Sequence, residues 1–178
     1  MKEAIEKHRD DEIDTMFVQL STNDIGQYKT PAGAAGEHLD FGSVSEDDVR
    51  DPEQFDLDTS FGALEYIVAK AKETWDCRVV IYICHMNTAE YAVFEGCGFD
   101  YVQMDEATDY AFMRREALAV AEKWGLDVID LWGDAEVNKI LHSDPSRYLA
   151  DTLHLHLLGY ERVLWQEFRK YIDGGESR

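Results

Sequence analysis

Basic residues are scarce in this sequence: 17 Lys and Arg stand against 37 Asp and Glu, a formal net charge of -20 at pH 7. Such an excess of negative charge repels phosphate backbones and anionic membrane surfaces, which argues against nucleic acid and membrane as partners. Cysteines number three, Cys77, Cys84 and Cys97, with no C-x-x-C spacing. An odd count without that spacing argues against a disulfide framework and a zinc cage, and the three read as small, mostly buried thiols. No apolar run is long enough to span a bilayer, and no basic, apolar and small-residue succession marks a signal peptide. The chain therefore reads as soluble and cytoplasmic. Internal repeats and low-complexity tracts are absent too.

What is there is a globular composition, 45% hydrophobic and 12% aromatic over 178 residues. That suffices for a single domain, 1–178, with a continuous core that needs neither disulfide nor metal. After a polar, charged segment that reads as the tail of a helix or a lead-in, 15-TMFVQL-20 is a short apolar run of strand type that ends at the turn-prone 21-STND-24. Residues from about Ile25 to Leu57 carry no sustained period and read as a long loop with at most a short helical turn. Asp58, Thr59 or Ser60 caps a helix whose apolar positions Phe61, Leu64, Ile67, Val68 and Ala71 follow helical spacing to about Trp75.

The run 78-RVVIYIC-84 is nearly continuous in apolar and β-branched residues, as expected of a strand covered on both faces. Residues 85–109 read as irregular, with the Gly-Cys-Gly at 96–98 as a turn. A helix is predicted from Tyr110 to Trp124, with Gly125 where a C-terminal cap belongs. A third strand, 126-LDVIDL-131, follows, then a short helix near Ala135 to His142, a break at Pro145, and a final helix from about Leu157 to Tyr171. Strand and helix alternate, the pattern of an open parallel sheet wrapped by helices.

In such sheets the chemistry gathers where loops leave the C-terminal ends of the strands. Three loops qualify: 21-STND-24, 84-CHMNTAE-90 and the segment from Trp132 to Gly159. The last holds 151-DTLHLHLLGY-160, whose residues alone allow three readings. Asp151 and His154 are an acid-base pair, or His154 and His156 are metal ligands, or an acid and a histidine fall at a helix start. A third metal ligand at useful spacing is not evident, so neither metal nor other cofactor is expected. His85, after the second strand, belongs either to the same pocket or to a surface loop. Trp132, after the third, either lines a pocket or packs in the core. The acidic run 46-EDDVRDPE-53 reads as a solvated loop.

Two of these runs carry a resemblance. The run 18-VQLSTNDIG-26 resembles the third conserved block of the SGNH, or GDSL-type, hydrolases, in which Asn follows an apolar strand within G-x-N-D. The run 151-DTLHLHLLGY-160 resembles their fifth block, D-x-x-H followed by a helix, and 58-DTSFGALEYIVAKAKETWDCRVVIYI-83 is similar to a helix-strand connector of a bacterial branch. The resemblance implies a flavodoxin-like three-layer α/β sandwich with a mostly parallel sheet, and hydrolysis of a carboxylic ester or acetylated carbohydrate through an acyl-serine. It casts His154 as general base, Asp151 as the acid that orients it, and Asn23 as oxyanion donor, with Asp24 holding its loop. Ser21 stands where the family has Gly.

The family's nucleophilic serine comes from a G-D-S block that no part of this sequence contains. The expectation is an SGNH domain without its first strand-helix-strand portion, with no nucleophile in the chain and no turnover on its own. Loss of the nucleophile in a triad enzyme costs about 10⁶ in turnover. With strand order 2-1-3-4-5, the absent first strand would lie beside 15-TMFVQL-20, so that strand becomes an apolar edge through which copies of the chain could pair. The alternative is a non-catalytic binding or assembly module on the same scaffold.

Overall fold

The computed structural model describes residues 2–20, 42–100 and 109–172. Three strands, β1 (Thr15–Leu20), β2 (Arg78–Ile83) and β3 (Asp127–Asp130), form one small all-parallel sheet in the order β1-β2-β3, flanked by helices. Parallel neighbours need crossover connections, and both connections here carry helix. The protein is thus α/β. Among the described residues β1 has a single sheet neighbour.

The chain divides into two compact units, Met1–Ile81 with Phe112–Val128, and Tyr82–Ala111 with Ile129–Arg178. In the first, the lead-in forms a helix, α1 (Lys2–Lys7), and is held by the Trp75 indole N–H, which donates to the carbonyl of His8 at 3.0 Å. The main helix, α2 (Ser60–Trp75), starts where Thr59 Oγ1 accepts the Gly62 N–H and stops at Asp76, whose φ of 49° is left-handed. Gly62 cannot be larger, because a Cβ there would lie 2.0 Å from the Asp56 carbonyl oxygen. The apolar stripe of α2 buries Val68 and Ala71 with Cys77 and Val79, and Ile13, Met16, Val18, Trp75, Trp124 and Leu126 pack around them.

Beneath the same helix Glu65 is fully buried. It meets Lys123, near the end of α4 (Asp109–Trp124), and both hold the segment after Gly42: Glu65 Oε2 accepts the Ser45 N–H at 2.8 Å, and Lys123 Nζ donates to the Ser45 carbonyl at 3.2 Å. The expected loop to Leu57 is irregular from residue 42 onward except for one 3-10 turn, Pro52–Gln54.

In the second unit, the segment 85–109, expected to be irregular, contains a helix, α3 (Thr88–Gly96). Its start is a full capping box, with Asn87 Oδ1 accepting the Glu90 N–H and Glu90 accepting the Asn87 N–H. The turn at 96–98 is present, with Gly98 and Phe99 both at positive φ. Beyond β3, Asp134 caps α5 (Ala135–Ser143), Pro145 opens the one-turn α6 (Pro145–Tyr148), and the C-terminal helix runs as α7 (Leu157–Gly159), a π-helical segment (Tyr160–Leu164) and α8 (Trp165–Ile172). Gly125 follows α4 at φ 60°, as its cap position requires.

Candidate functional site

The site lies within the second unit and is built on two loops, one after β2 and one after β3. β2 is buried from Val79 through Ile83, and the burial continues into Cys84, His85 and Met86. His85 is 4% exposed, so it is no surface-loop histidine. Asn87 then turns the chain into α3.

The loop after β3 is held by Asn138, a fully buried amide on α5. Its Nδ2 donates to the carbonyls of Leu131, Trp132 and Asp134 at 2.8, 3.1 and 2.8 Å, and its Oδ1 accepts the Met86 N–H at 2.9 Å. One side chain thus ties the end of β3 to the end of β2. One helical turn on, His142 donates from Nε2 to the Met86 carbonyl at 3.1 Å and stacks on Tyr91 at 4.4 Å between centroids. Trp132 is fully buried and stacks on Tyr110 at 6.1 Å, which places it in the core.

Residues 149–156 form a tight excursion closed at its base by an antiparallel bridge between Leu149 and Leu155. The Ala150 N–H donates to the His154 carbonyl at 2.6 Å, and the His156 N–H to the Tyr148 carbonyl at 2.8 Å. At its tip, Asp151 Oδ1 accepts the N–H groups of Leu153 and His154, each at 2.8 Å. Its other oxygen, Oδ2, lies 2.7 Å from His154 Nδ1. The carboxyl is held down at about 2 by those two backbone N–H groups and by the His154 ring. A carboxylate can only accept, so Nδ1 carries a proton, and in the neutral ring Nε2 presents its lone pair. Both side chains are open to solvent, 54% for Asp151 and 71% for His154.

The helix after this excursion takes His156, not Asp151, as its N-cap residue, and His156 makes no side-chain cap bond there. A helix-start role for Asp151 is thereby ruled out. Gly159 lets the helix seat: a Cβ there would come within 2.6 Å of the Tyr148 carbonyl oxygen and 3.0 Å of Leu155 Cδ2. Among the described residues, no three His, Cys, Asp or Glu side chains are placed to share a metal ion.

The excursion is gripped from the β2 side. Thr88, the first residue of α3, donates its N–H and its hydroxyl to the Thr152 carbonyl at 2.9 and 3.2 Å. His85 Nε2 donates to the Leu153 carbonyl at 2.7 Å. Burial lowers the proton affinity of His85, with His142 and His154 adding to the effect; burial does the same to His142. Each ring keeps a buried Nδ1 that has no hydrogen-bond partner among the described residues.

The structure therefore brings together Asp151, His154 and His85 of the residues singled out from sequence, and sets Trp132 into the core. Asn23, with Ser21 and Asp24, lies outside the described residues. Asn138, His142 and Thr88 escaped the sequence reading. The N-T-A-E capping box at 87–90 was the available sign for Thr88, while a lone Asn or His inside a helix carries no local signal.

No protein-family model matches the chain, and no curated protein is significantly similar to it. Among solved structures, a crystal structure aligns with 96% of this chain and 69% of its own, at a TM-score of 0.62 and 16% identity. No helix among the described residues is long and apolar enough to cross a membrane. At such low identity the structural likeness is one of fold, and what it shows is an α/β chain built on a small parallel three-stranded sheet flanked by helices.

Proposed function

We propose that Asp151 and His154 are the acid-base half of an acyl-transfer site of the SGNH hydrolase type, directed at a carboxylic ester or an acetylated carbohydrate. The observation that carries this reading is the 2.7 Å contact from His154 Nδ1 to Asp151 Oδ2, with the remaining carboxylate oxygen committed to two backbone N–H groups. A carboxylate held in that way stays ionised, fixes the imidazole tautomer and stabilises the imidazolium when Nε2 takes a proton. The order β1-β2-β3, with helical crossovers, is also that of the last three strands of a 2-1-3-4-5 sheet.

In this reading a serine hydroxyl set against His154 Nε2 gives up its proton as its oxygen attacks the ester carbonyl. The imidazolium returns the proton to the departing alkoxide, and a water then repeats the sequence to release the acid. Asn23 is the proposed oxyanion donor. The hydroxyl must reach Nε2 from a G-D-S block that this sequence does not contain. Pairing of copies through the β1 edge is an accompanying proposal, and light scattering measures it directly.

The test compares the chain alone with the chain joined behind a G-D-S-bearing strand-helix-strand portion of an SGNH hydrolase. Alone, it should neither turn over p-nitrophenyl acetate nor be labelled by a fluorophosphonate. The joined protein should do both, and His154→Ala should abolish both. A joined protein that folds cooperatively and hydrolyses the ester equally well with His154→Ala would overturn the reading. The absent serine also favours a second reading, a binding module that retains the scaffold. Retention of an acetylated oligosaccharide by the chain alone, lost with Asp151→Asn, would support it.

A further inference from the structure

The two peptide groups that hold the Asp151 carboxylate are themselves held from behind. Asp151 Oδ1 accepts the N–H of the 152–153 peptide and the N–H of the 153–154 peptide. The carbonyl of the first, Thr152 O, accepts from Thr88 N and Thr88 Oγ1; the carbonyl of the second, Leu153 O, accepts from His85 Nε2. Each peptide thus has on its oxygen a donor from the segment that runs from the end of β2 into α3, and the carboxylate on its N–H. A hydrogen bond to a carbonyl polarises the amide and strengthens its N–H as a donor, and chains of such bonds reinforce one another.

We propose that His85 and Thr88 are positioning residues for the Asp151–His154 pair, acting through these two peptide planes to aim Asp151 Oδ2 at His154 Nδ1. The inference rests on the acid-base reading of that pair.

The chemistry of each residue suits the role. A carbonyl only accepts, so His85 must carry its proton on Nε2, and its buried Nδ1 has no hydrogen-bond partner among the described residues. An imidazolium at that place would leave a buried N–H unpaired, with His142 and His154 as neighbouring titratable rings. The ring therefore works as a neutral donor. Thr88 opens α3, where its backbone N–H has no partner within the helix and is free to point at Thr152. The result is a carboxylate at the tip of an exposed excursion whose direction is set by a buried strand end.

The experiment is nitrogen-15 NMR of the isolated chain, reading the ring tautomer of His154 and the hydrogen exchange of its backbone amide, with a melting curve for each variant. The unaltered chain should hold the proton on Nδ1, against the Nε2–H preference of free imidazole, and Asp151→Asn should abolish that bias. If the unaltered chain has no Nδ1–H bias, the acid-base reading itself fails.

Given the bias, His85→Leu should lose most of it and speed His154 amide exchange roughly five- to tenfold, the effect of about one hydrogen bond. His85→Gln, which keeps a side-chain N–H of similar reach, should restore both. Thr88→Pro removes the backbone donor and the hydroxyl together, at a first-turn position where proline suits a helix. Asn87 before it is already extended, as a residue preceding proline must be. This variant should fold and show the same loss of bias, and it carries the test alone if His85→Leu does not fold. Folded variants that melt earlier but keep the wild-type tautomer and exchange rate would overturn the proposal and leave both residues a purely structural role.

Discussion

Lys123 Nζ lies 2.6 Å from Glu65 Oε1 where the two side chains are 2% and 0% exposed. Burial pushes the Glu65 carboxyl up, but Lys123, the Ser45 backbone and the Trp124 indole together hold it below its ordinary value. Breaking one partner of such a pair leaves a buried charge with no counterion, at a cost of about 3–5 kcal/mol. Lys123→Met should therefore lower the urea midpoint sharply, and Glu65→Leu combined with Lys123→Met should recover much of the loss. Equal damage from the single and double variants would show that the ion pair itself, and not the orphaned charge, sustains the fold.

The Asn138 side chain bonds four backbone groups, the Met86 N–H and the carbonyls of Leu131, Trp132 and Asp134. Asn138→Leu matches its bulk and removes these bonds together, leaving the buried Met86 N–H without its side-chain acceptor, so a loss of about 2 kcal/mol or more is expected. Thermal unfolding measures it. An unchanged melting temperature would mean that water enters and takes over those bonds.

The Asp151 carboxyl is held at about 2 by the His154 and Leu153 N–H groups and the His154 ring. A carboxyl depressed in the fold contributes stability that is fully present above its unfolded value and is lost as pH falls through the folded one. Its contribution should persist through mild acid and vanish only as pH drops from about 4 toward 2. The side-chain carbonyl carbon-13 shift of Asp151 should report a midpoint near the lower figure. A midpoint at the ordinary aspartate value would mean that the excursion does not grip its carboxylate in solution.

His85 and His142 act in the same direction but in a higher pH window. Both are lowered by burial, so below an unfolded value of about 6.5 the unfolded chain binds protons that the folded chain refuses. Stability should fall as pH drops from about 7 toward 5 and be flat above. His142→Phe, which retains the stack on Tyr91, should make that fall shallower. A melting temperature independent of pH across this range would show that neither ring is buried neutral.

Gly159→Ala places a methyl group 2.6 Å from the Tyr148 carbonyl oxygen, which is backbone and cannot swing aside. The C-terminal helix must shift, at a cost of about 1–3 kcal/mol. Gly96→Ala, where a Cβ meets nothing within 4 Å, is the control and should be nearly neutral.

Much of the fold was legible because its signals are local. The run 79–83 is apolar throughout and forms the central strand; Thr59 caps α2 and Gly125 terminates α4 as their chemistry suggests. α3 was missed although Asn87 and Glu90 spell a capping box, because the residues behind them bury only Glu90 and Phe94 and so show no periodic stripe. At the site, the acid and the histidine of D-x-x-H could be read three apart in the chain. The grip on them could not, since His85 reaches Leu153 across 68 positions and Asn138 reaches Met86 across 52.

The sequence by itself determined the alternation of strands and helices, the net negative charge and the three-residue spacing of Asp151 and His154, because periodicity, composition and short-range side-chain reach all lie within a few residues. Only the tertiary structure decided that His85 is buried, that Trp132 belongs to the core, and that two peptides behind Asp151 are anchored to the end of β2. Those outcomes depend on which backbone carbonyls meet which donors once the chain has closed on itself, and a hydrogen bond between distant residues leaves no mark on either one's neighbours in sequence.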